Sequence, residues 1–206
     1  MVPSDDVATI AQEVVLEFLQ QMGIDSSPQH QEQSCLDDCI DTISDDWSFK
    51  NHIRPHIMTG LVMAETAYSH LKDVDTQVAV AVYTALMAAL DDPDIFRMSG
   101  ARNFARMLCN GSAHSDPGLL GQLTKALSEL GRHFSAFNTT CIISATLRGL
   151  GGETLWNSSS PPALEPQTGH FLDYQRRMTG ASEAYAALIW PKADFPEDNP
   201  YVYVLP

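Results

Sequence analysis

Fourteen consecutive residues, Gln77 to Leu90, carry no charge and are apolar on nearly every helical face. A helix of that kind belongs in the middle of a packed structure, so other helices must surround it. It is too short for a membrane span, which needs roughly 18 residues or more. The run stops at Asp91-Asp92-Pro93-Asp94. On the plainest reading this is a solvated helix stop, because Pro ends helices and Asp favours turns. Two considerations oppose that reading. Carboxylates at a helix C-terminus meet the negative end of the dipole, at a cost of a few tenths to about 1 kcal/mol. They also follow residues that belong in a core, which places them at the mouth of that core. Like charges packed there call for a counter-cation. A hard divalent ion fits, and Mg²⁺ typically takes one or two carboxylates plus phosphates and waters.

Helical periodicity continues through most of the chain. Ser4 can cap a first helix carrying Val7, Ile10, Val14 and Phe18, with Gly23 as its stop. An acidic stretch from Ile24 to Lys50 holds a short helix near Cys35 to Ile43. Ile57, Leu61, Ala64, Tyr68 and Leu71 mark a second long helix. After the aspartates the pattern predicts a helix around Arg97 to Leu108. Leu123, Leu127, Leu130, Phe134, Phe137 and Cys141 then recur at steps of 4, 3, 4, 3 and 4. That spacing predicts one helix, kinked or ended by Gly149 to Gly152. Asn157 to Pro166 reads as a loop, and Phe171 to Leu188 as a last amphipathic helix closed by Pro191. The strand-like segment is Tyr201-Val202-Tyr203-Val204. The fold class is all-α, with residues 1–50 an N-terminal helix and acidic variable segment and 51–206 the main helical domain.

Charge narrows the choice of partner. Twelve Lys and Arg against 26 Asp and Glu leave a net charge of −14. Such a surface repels phosphate backbones and anionic lipid, so neither nucleic acid nor membrane is an expected partner. An anionic ligand would have to bring or recruit cations. The acidic N-terminus has no signal-peptide pattern, so the four cysteines are expected reduced in the cytoplasm. The sequons at Asn110, Asn138 and Asn157 are then chance matches. Cys35 and Cys39 could share a helix face, but no second Cys/His pair follows at zinc-finger spacing. His52 and His56 lack the Glu of a zincin motif, and no nucleophile elbow, Walker loop or dinucleotide fingerprint is present.

Arg176-Arg177 lies in the last helix, with Gly180 four residues beyond Arg176. An exposed arginine pair and a tolerated glycine would explain both. Yet a mid-helix Gly costs about 1 kcal/mol relative to Ala, which a kink or close backbone approach would justify. Arg is also the residue suited to bidentate phosphate recognition.

Leu90-Asp91-Asp92, then Thr154-Leu155-Trp156, Tyr174-Gln175-Arg176-Arg177-Met178-Thr179-Gly180 and Ala187-Leu188-Ile189-Trp190-Pro191-Lys192 follow one another in an order that resembles the trichodiene synthase family of class I sesquiterpene cyclases. The resemblance runs from about His56 to Asp198. It implies a terpenoid synthase-type helical bundle around an apolar cavity. It also implies a carbon-oxygen lyase of terpenoid secondary metabolism, with Mg²⁺-dependent ionisation and cyclisation of farnesyl diphosphate. By this resemblance Asp91 is a metal ligand and catalytic residue, with Asp92 and Asp94 assisting. Ile95 stands where the family motif usually has an acid. Arg176 corresponds to the diphosphate-sensing arginine, and Thr179 and Gly180 to the linker and helix-break positions.

Thr84, Met87 and Ala88 share a face with Asp91 and are candidates to line the substrate cavity, while Tyr68, Tyr83 or Phe104 could supply cation–π contacts. The family's second metal motif and its terminal Arg-Tyr pair have no counterpart before Pro206. The expectation is therefore an incomplete bundle, whose exposed apolar surface would drive association, a homodimer included. Two rival readings stand beside the cyclase: a catalytically incompetent cyclase-like protein, and an all-α interaction module in which Asp91 to Asp94 is only a turn.

Overall fold

The computed structural model describes residues 34–157 and 169–197, together with scattered positions between 9 and 21. The residues up to Gln33 form one compact unit and those from Ser34 onward another. The second unit carries the site. It comprises α1 (Ser34–Ser44), α2 (Lys50–Thr66), α3 (Val74–Leu90), α4 (Pro93–Ser99), α5 (Phe104–Cys109), α6 (Leu119–His133), α7 (Ala136–Trp156), α8 (Gly169–Met178) and α9 (Ala181–Ala187). Short 3₁₀ turns lie at Ala101–Asn103 and Ser112–Ser115. Among the described residues there is no strand, only an isolated bridge between Phe134 and Pro191. The all-α class is as expected. Val7, Ile10, Phe18 and Gly23, most of the 157–166 loop and the segment 201–204 lie outside the described residues.

The central helix is α3, with thirteen of its 17 residues buried. Asp73 starts it, its carboxylate accepting from the Thr76 amide at 3.1 Å and the Thr76 hydroxyl at 2.6 Å. Helix α2 packs along it so closely that a Cβ on Gly60 would lie 2.2 Å from the Ala81 carbonyl oxygen. Leu86, Leu90, Leu123, Leu130, Phe104 and Ile142, all fully buried, fill the surrounding core. No single helix among the described residues is long and apolar enough to cross a membrane.

Five boundaries differ from the sequence expectation, each for a local reason; the helix expected over Phe171 to Leu188 is two, because Gly180 adopts φ 66° between α8 and α9. Helix α2 ends at Thr66, so Tyr68 and Leu71 lie in the turn beyond it, buried there by the need to present extended Asp73 as the α3 cap. The helix expected over Arg97 to Leu108 is divided, because Gly100 adopts φ 71° and stops α4. The helix expected to run through Phe134 is also two: Phe134 and Ser135 are extended, and the Ser135 hydroxyl caps α7 by accepting from the Asn138 amide at 3.1 Å. Beyond this corner the buried positions are Asn138 and Ile142 while Phe137 is exposed, so the helical spacing that continues across it does not mark one buried face. Gly149 to Gly152 does not end a helix, since α7 runs on to Trp156.

Candidate functional site

A cavity of about 430 Å³ opens between α3, α7 and the break that separates α8 from α9. Tyr83, Met87 and Asp91, each four residues apart, form one stripe of α3 along its wall. Gly149, Leu150, Glu153 and Trp156 supply the α7 wall, and Gln175, Thr179, Gly180 and Tyr185 close the third side.

Small residues on α7 make the third side possible. A Cβ on Gly149 would meet the Thr179 carbonyl oxygen at 2.8 Å, and one on Gly180 would meet the Ala145 carbonyl oxygen at 2.2 Å. Gly180 also adopts φ 66°, a left-handed conformation that costs other residues roughly 1–2 kcal/mol. The sequence suggested a kink or close approach at this glycine, and the structure has both.

The inner end of the cavity is aromatic and internally satisfied. The Thr146 hydroxyl donates to the Ile142 carbonyl at 2.8 Å, so the Tyr83 hydroxyl donates to Thr146 Oγ1 at 2.9 Å. Tyr83 and Tyr185 meet edge to face, 6.5 Å between centroids. The Tyr68 hydroxyl donates to the Tyr185 carbonyl at 2.7 Å, tying the turn after α2 to α9. Burial pushes the phenols of Tyr68, Tyr83 and Tyr185 upward, so all three stay neutral. Thr84 is buried beside Tyr185, its hydroxyl opposing that rise.

The rim is acidic. Asp91 is the C-cap residue of α3, its amide donating to the Met87 carbonyl at 3.1 Å. Its carboxyl is raised above the ordinary range by burial, with His56 acting weakly in the other direction. The side chain is nevertheless solvent-accessible, because the space it faces is the cavity mouth. Glu153 is raised by burial and by the negative charge of Asp91, against a hydrogen bond from Asn157 Nδ2 at 3.1 Å. The two carboxylates thus disfavour each other across one opening.

The other aspartates point elsewhere. Asp92 is the N-cap of α4, its Oδ1 accepting from the amides of Asp94 at 2.8 Å and Ile95 at 3.2 Å. Asp94 pairs with Arg97 on the exposed face of α4. Arg176 is exposed on α8, next to Gln175 but outside the cavity wall, and Thr179 and Gly180 are in the wall. Among the described residues no three His, Cys, Asp or Glu side chains converge as a metal cage. Two carboxylates at an open mouth suit an ion that completes its shell with waters and ligand oxygens, as Mg²⁺ does.

Sequence reasoning missed Glu153, Trp156 and Gly149 as wall residues and had Tyr185 only as part of an apolar stripe. The signal was present: Gly149, Glu153 and Trp156 share one helical face, and glycine at the head of that face announces a close neighbour.

The family model described as trichodiene synthase (TRI5) matches residues 50–205. Monoterpene synthase 25 of Postia placenta is 31% identical over 198 residues, 96% of this chain and 59% of its own length. Terpene synthase 29 of the same fungus is 32% identical over 202 residues, 98% of this chain and again 59% of its own length. Alpha-cuprenene synthase COP6 of Coprinopsis cinerea is 26% identical over 147 residues, 71% of this chain and 44% of its own. The chain therefore spans about three-fifths of the first two relatives. It belongs to the trichodiene synthase family.

Proposed function

We propose that this chain binds a prenyl diphosphate, farnesyl diphosphate first among them, and takes part in terpene cyclisation. The observation that carries the reading is Asp91 at the end of the most buried helix, opening onto a cavity whose wall is otherwise largely apolar and aromatic. The hydrocarbon tail would lie against Met87, Leu150 and the Tyr83–Tyr185 pair, and the diphosphate at the rim. Such walls exclude water from a reactive cation, and the neutral tyrosine rings offer their electron-rich faces to it.

The rim alone cannot hold a diphosphate, because its described residues bear two carboxylates and no Lys or Arg. Mg²⁺ held by Asp91, with Glu153 beside it, would supply the charge neutralisation that lets diphosphate leave. Asp92 and Asp94 are less suited to that task, since their oxygens already serve α4 and Arg97. The role of Arg176, and of Thr179 and Gly180 after it, rests on the resemblance of their motif.

A second reading is binding with little turnover, favoured by the absence, among the described residues, of a third His, Cys, Asp or Glu that would complete a metal site at the rim. Calorimetry with Mg²⁺ and inorganic diphosphate tests both. Binding should be cooperative, each ligand supplying charge the other requires. Asp91→Asn should weaken it about tenfold or more, the loss of one charged ligand. Arg176→Ala should weaken diphosphate binding at saturating metal. An absence of heat, or variants that match the wild type, would refute the site. Product analysis with farnesyl and geranyl diphosphate then separates turnover from binding alone.

A further inference from the structure

On the far side of the last turn of α7 lies a second cleft, of about 290 Å³, with the opposite chemistry. Thr154 and Asn157 form its α7 wall; Phe96, Arg97, Arg102 and Asn103 form the rest. Three of the chain's 12 basic residues, Arg97, Arg102 and Arg106, fall within ten positions here, in a molecule of net charge −14. The local fold gathers them. Gly100 at φ 71° ends α4 and turns the chain through Ala101–Asn103, so that Arg97 and Arg102 flank one opening over buried Phe96.

Hydrogen bonding inside the cleft is polarised. Arg97 spends its Nε on the Pro93 carbonyl at 3.1 Å and one Nη on Asp94, leaving the other Nη. Arg106 donates to Asn103 Oδ1 at 2.7 Å, which leaves the amide nitrogen of Asn103 as a free donor. Arg102 forms no ion pair among the described residues, and its guanidinium brings five N–H donors. The α7 side does the reverse. The Thr154 hydroxyl donates to the Leu150 carbonyl at 2.8 Å, and Asn157 Nδ2 donates to the carbonyl and carboxylate of Glu153 at 3.0 and 3.1 Å. What these two residues still offer is oxygen lone pairs.

We propose that this cleft is an oxyanion site for a phosphate-class group that still carries a hydroxyl proton, independent of any metal. The arginines and Asn103 receive its anionic oxygens, and its P–OH donates to Asn157 Oδ1 or Thr154 Oγ1. Free phosphate and free diphosphate share that chemistry near neutral pH, and a phosphorylated headgroup shares it toward its second pKa of about 6. Sulfate, fully ionised at neutral pH, lacks the proton and would leave the acceptor side unmatched.

Titration calorimetry of the full chain in excess chelator, with inorganic phosphate, inorganic diphosphate and sulfate in turn, tests the proposal. Phosphate and diphosphate should bind without metal and more tightly than sulfate; their relative affinities tell a single phosphate from a longer headgroup. Arg102→Ala should weaken binding about tenfold, and Arg102→Lys should recover part of it. Arg102 is exposed, and circular dichroism would confirm that both variants fold. Asp91→Asn should leave metal-free binding unchanged, which separates this cleft from the cavity. Metal-free binding that is absent, or equal for sulfate and phosphate, or indifferent to Arg102→Ala, would overturn the proposal while leaving the Mg²⁺-dependent reading to its own test.

Discussion

Three acidic residues within four positions have three different surroundings. Asp91 faces the cavity, Asp92 caps a helix, and Asp94 pairs with Arg97. The capping role makes a prediction that separates a structural carboxylate from a ligand. Asp92→Ala should cost about 1 kcal/mol, lowering the thermal midpoint by roughly 2–4 °C in a chain of this size. Asp92→Asn keeps an acceptor oxygen, so it should retain most of that stability and bind Mg²⁺ with diphosphate as the wild type does. If Asp92→Asn loses metal binding as Asp91→Asn does, Asp92 is a ligand and the division drawn here fails. From sequence the cluster stood out as a candidate because it followed an apolar run. Its division was hidden, because Asp-Pro-Asp signals a helix stop and a helix start equally well, and only backbone direction tells which oxygen meets which amide.

Helix α3 was legible as an element because nothing in Gln77 to Leu90 could face water. Corners such as Phe134–Ser135 were not, since apolar residues recur at helical steps across the turn even though Phe137 beyond it is exposed. Close approach between helices is likewise invisible in a periodicity and evident in a structure. Gly60 shows it best. A methyl group there would press on backbone atoms of α3, Ala81 O at 2.2 Å and Ala85 N at 3.0 Å, which cannot rotate away. Gly60→Ala should therefore destabilise by about 1–3 kcal/mol through overpacking. Gly131→Ala is the matched control: its new methyl would meet only the Thr139 methyl group, at 3.5 Å, and helix propensity should make it neutral or stabilising by up to about 1 kcal/mol. Denaturant titration of both variants checks the contrast, and equal effects would show that α2 and α3 are not pinned together at Gly60.

At the scale of the molecule, the carboxylates at the cavity mouth link folding to pH and, on the proposed reading, to metal. Folding raises the pKa of Asp91 and Glu153, chiefly through burial. The folded chain therefore holds their protons more tightly than the unfolded chain. Their contribution to stability is fully present below the unfolded carboxylate pKa of about 4 and is lost as pH rises through the folded values. Asp73, lowered by its hydrogen bonds to Thr76, works in the opposite sense, so the wild-type profile alone is ambiguous. The comparison with Asp91→Asn resolves it. In chelator, the variant should melt higher than the wild type at pH 7, and the two should converge as pH falls toward 4. Mg²⁺ should raise the wild type more than the variant. Scanning calorimetry across that range checks both, and a variant that is less stable than the wild type at every pH would show that Asp91 is held by a fixed protein partner.

The separation of Asp91 from Asp92 also bears on inheritance. Neighbouring positions in a motif are usually imagined to change together. Here one faces an open cavity mouth and the other holds two amide groups, so a lineage can alter either demand without disturbing the other. Any residue with an acceptor oxygen on a short side chain preserves the corner between α3 and α4, whatever happens to the chemistry next to it. At the fifth motif position the Ile95 amide helps hold the corner, while its side chain packs against the core. If Asp91 holds an ion as proposed, drift at the second place of such a motif is poor testimony about lost activity, and the first place is the informative one.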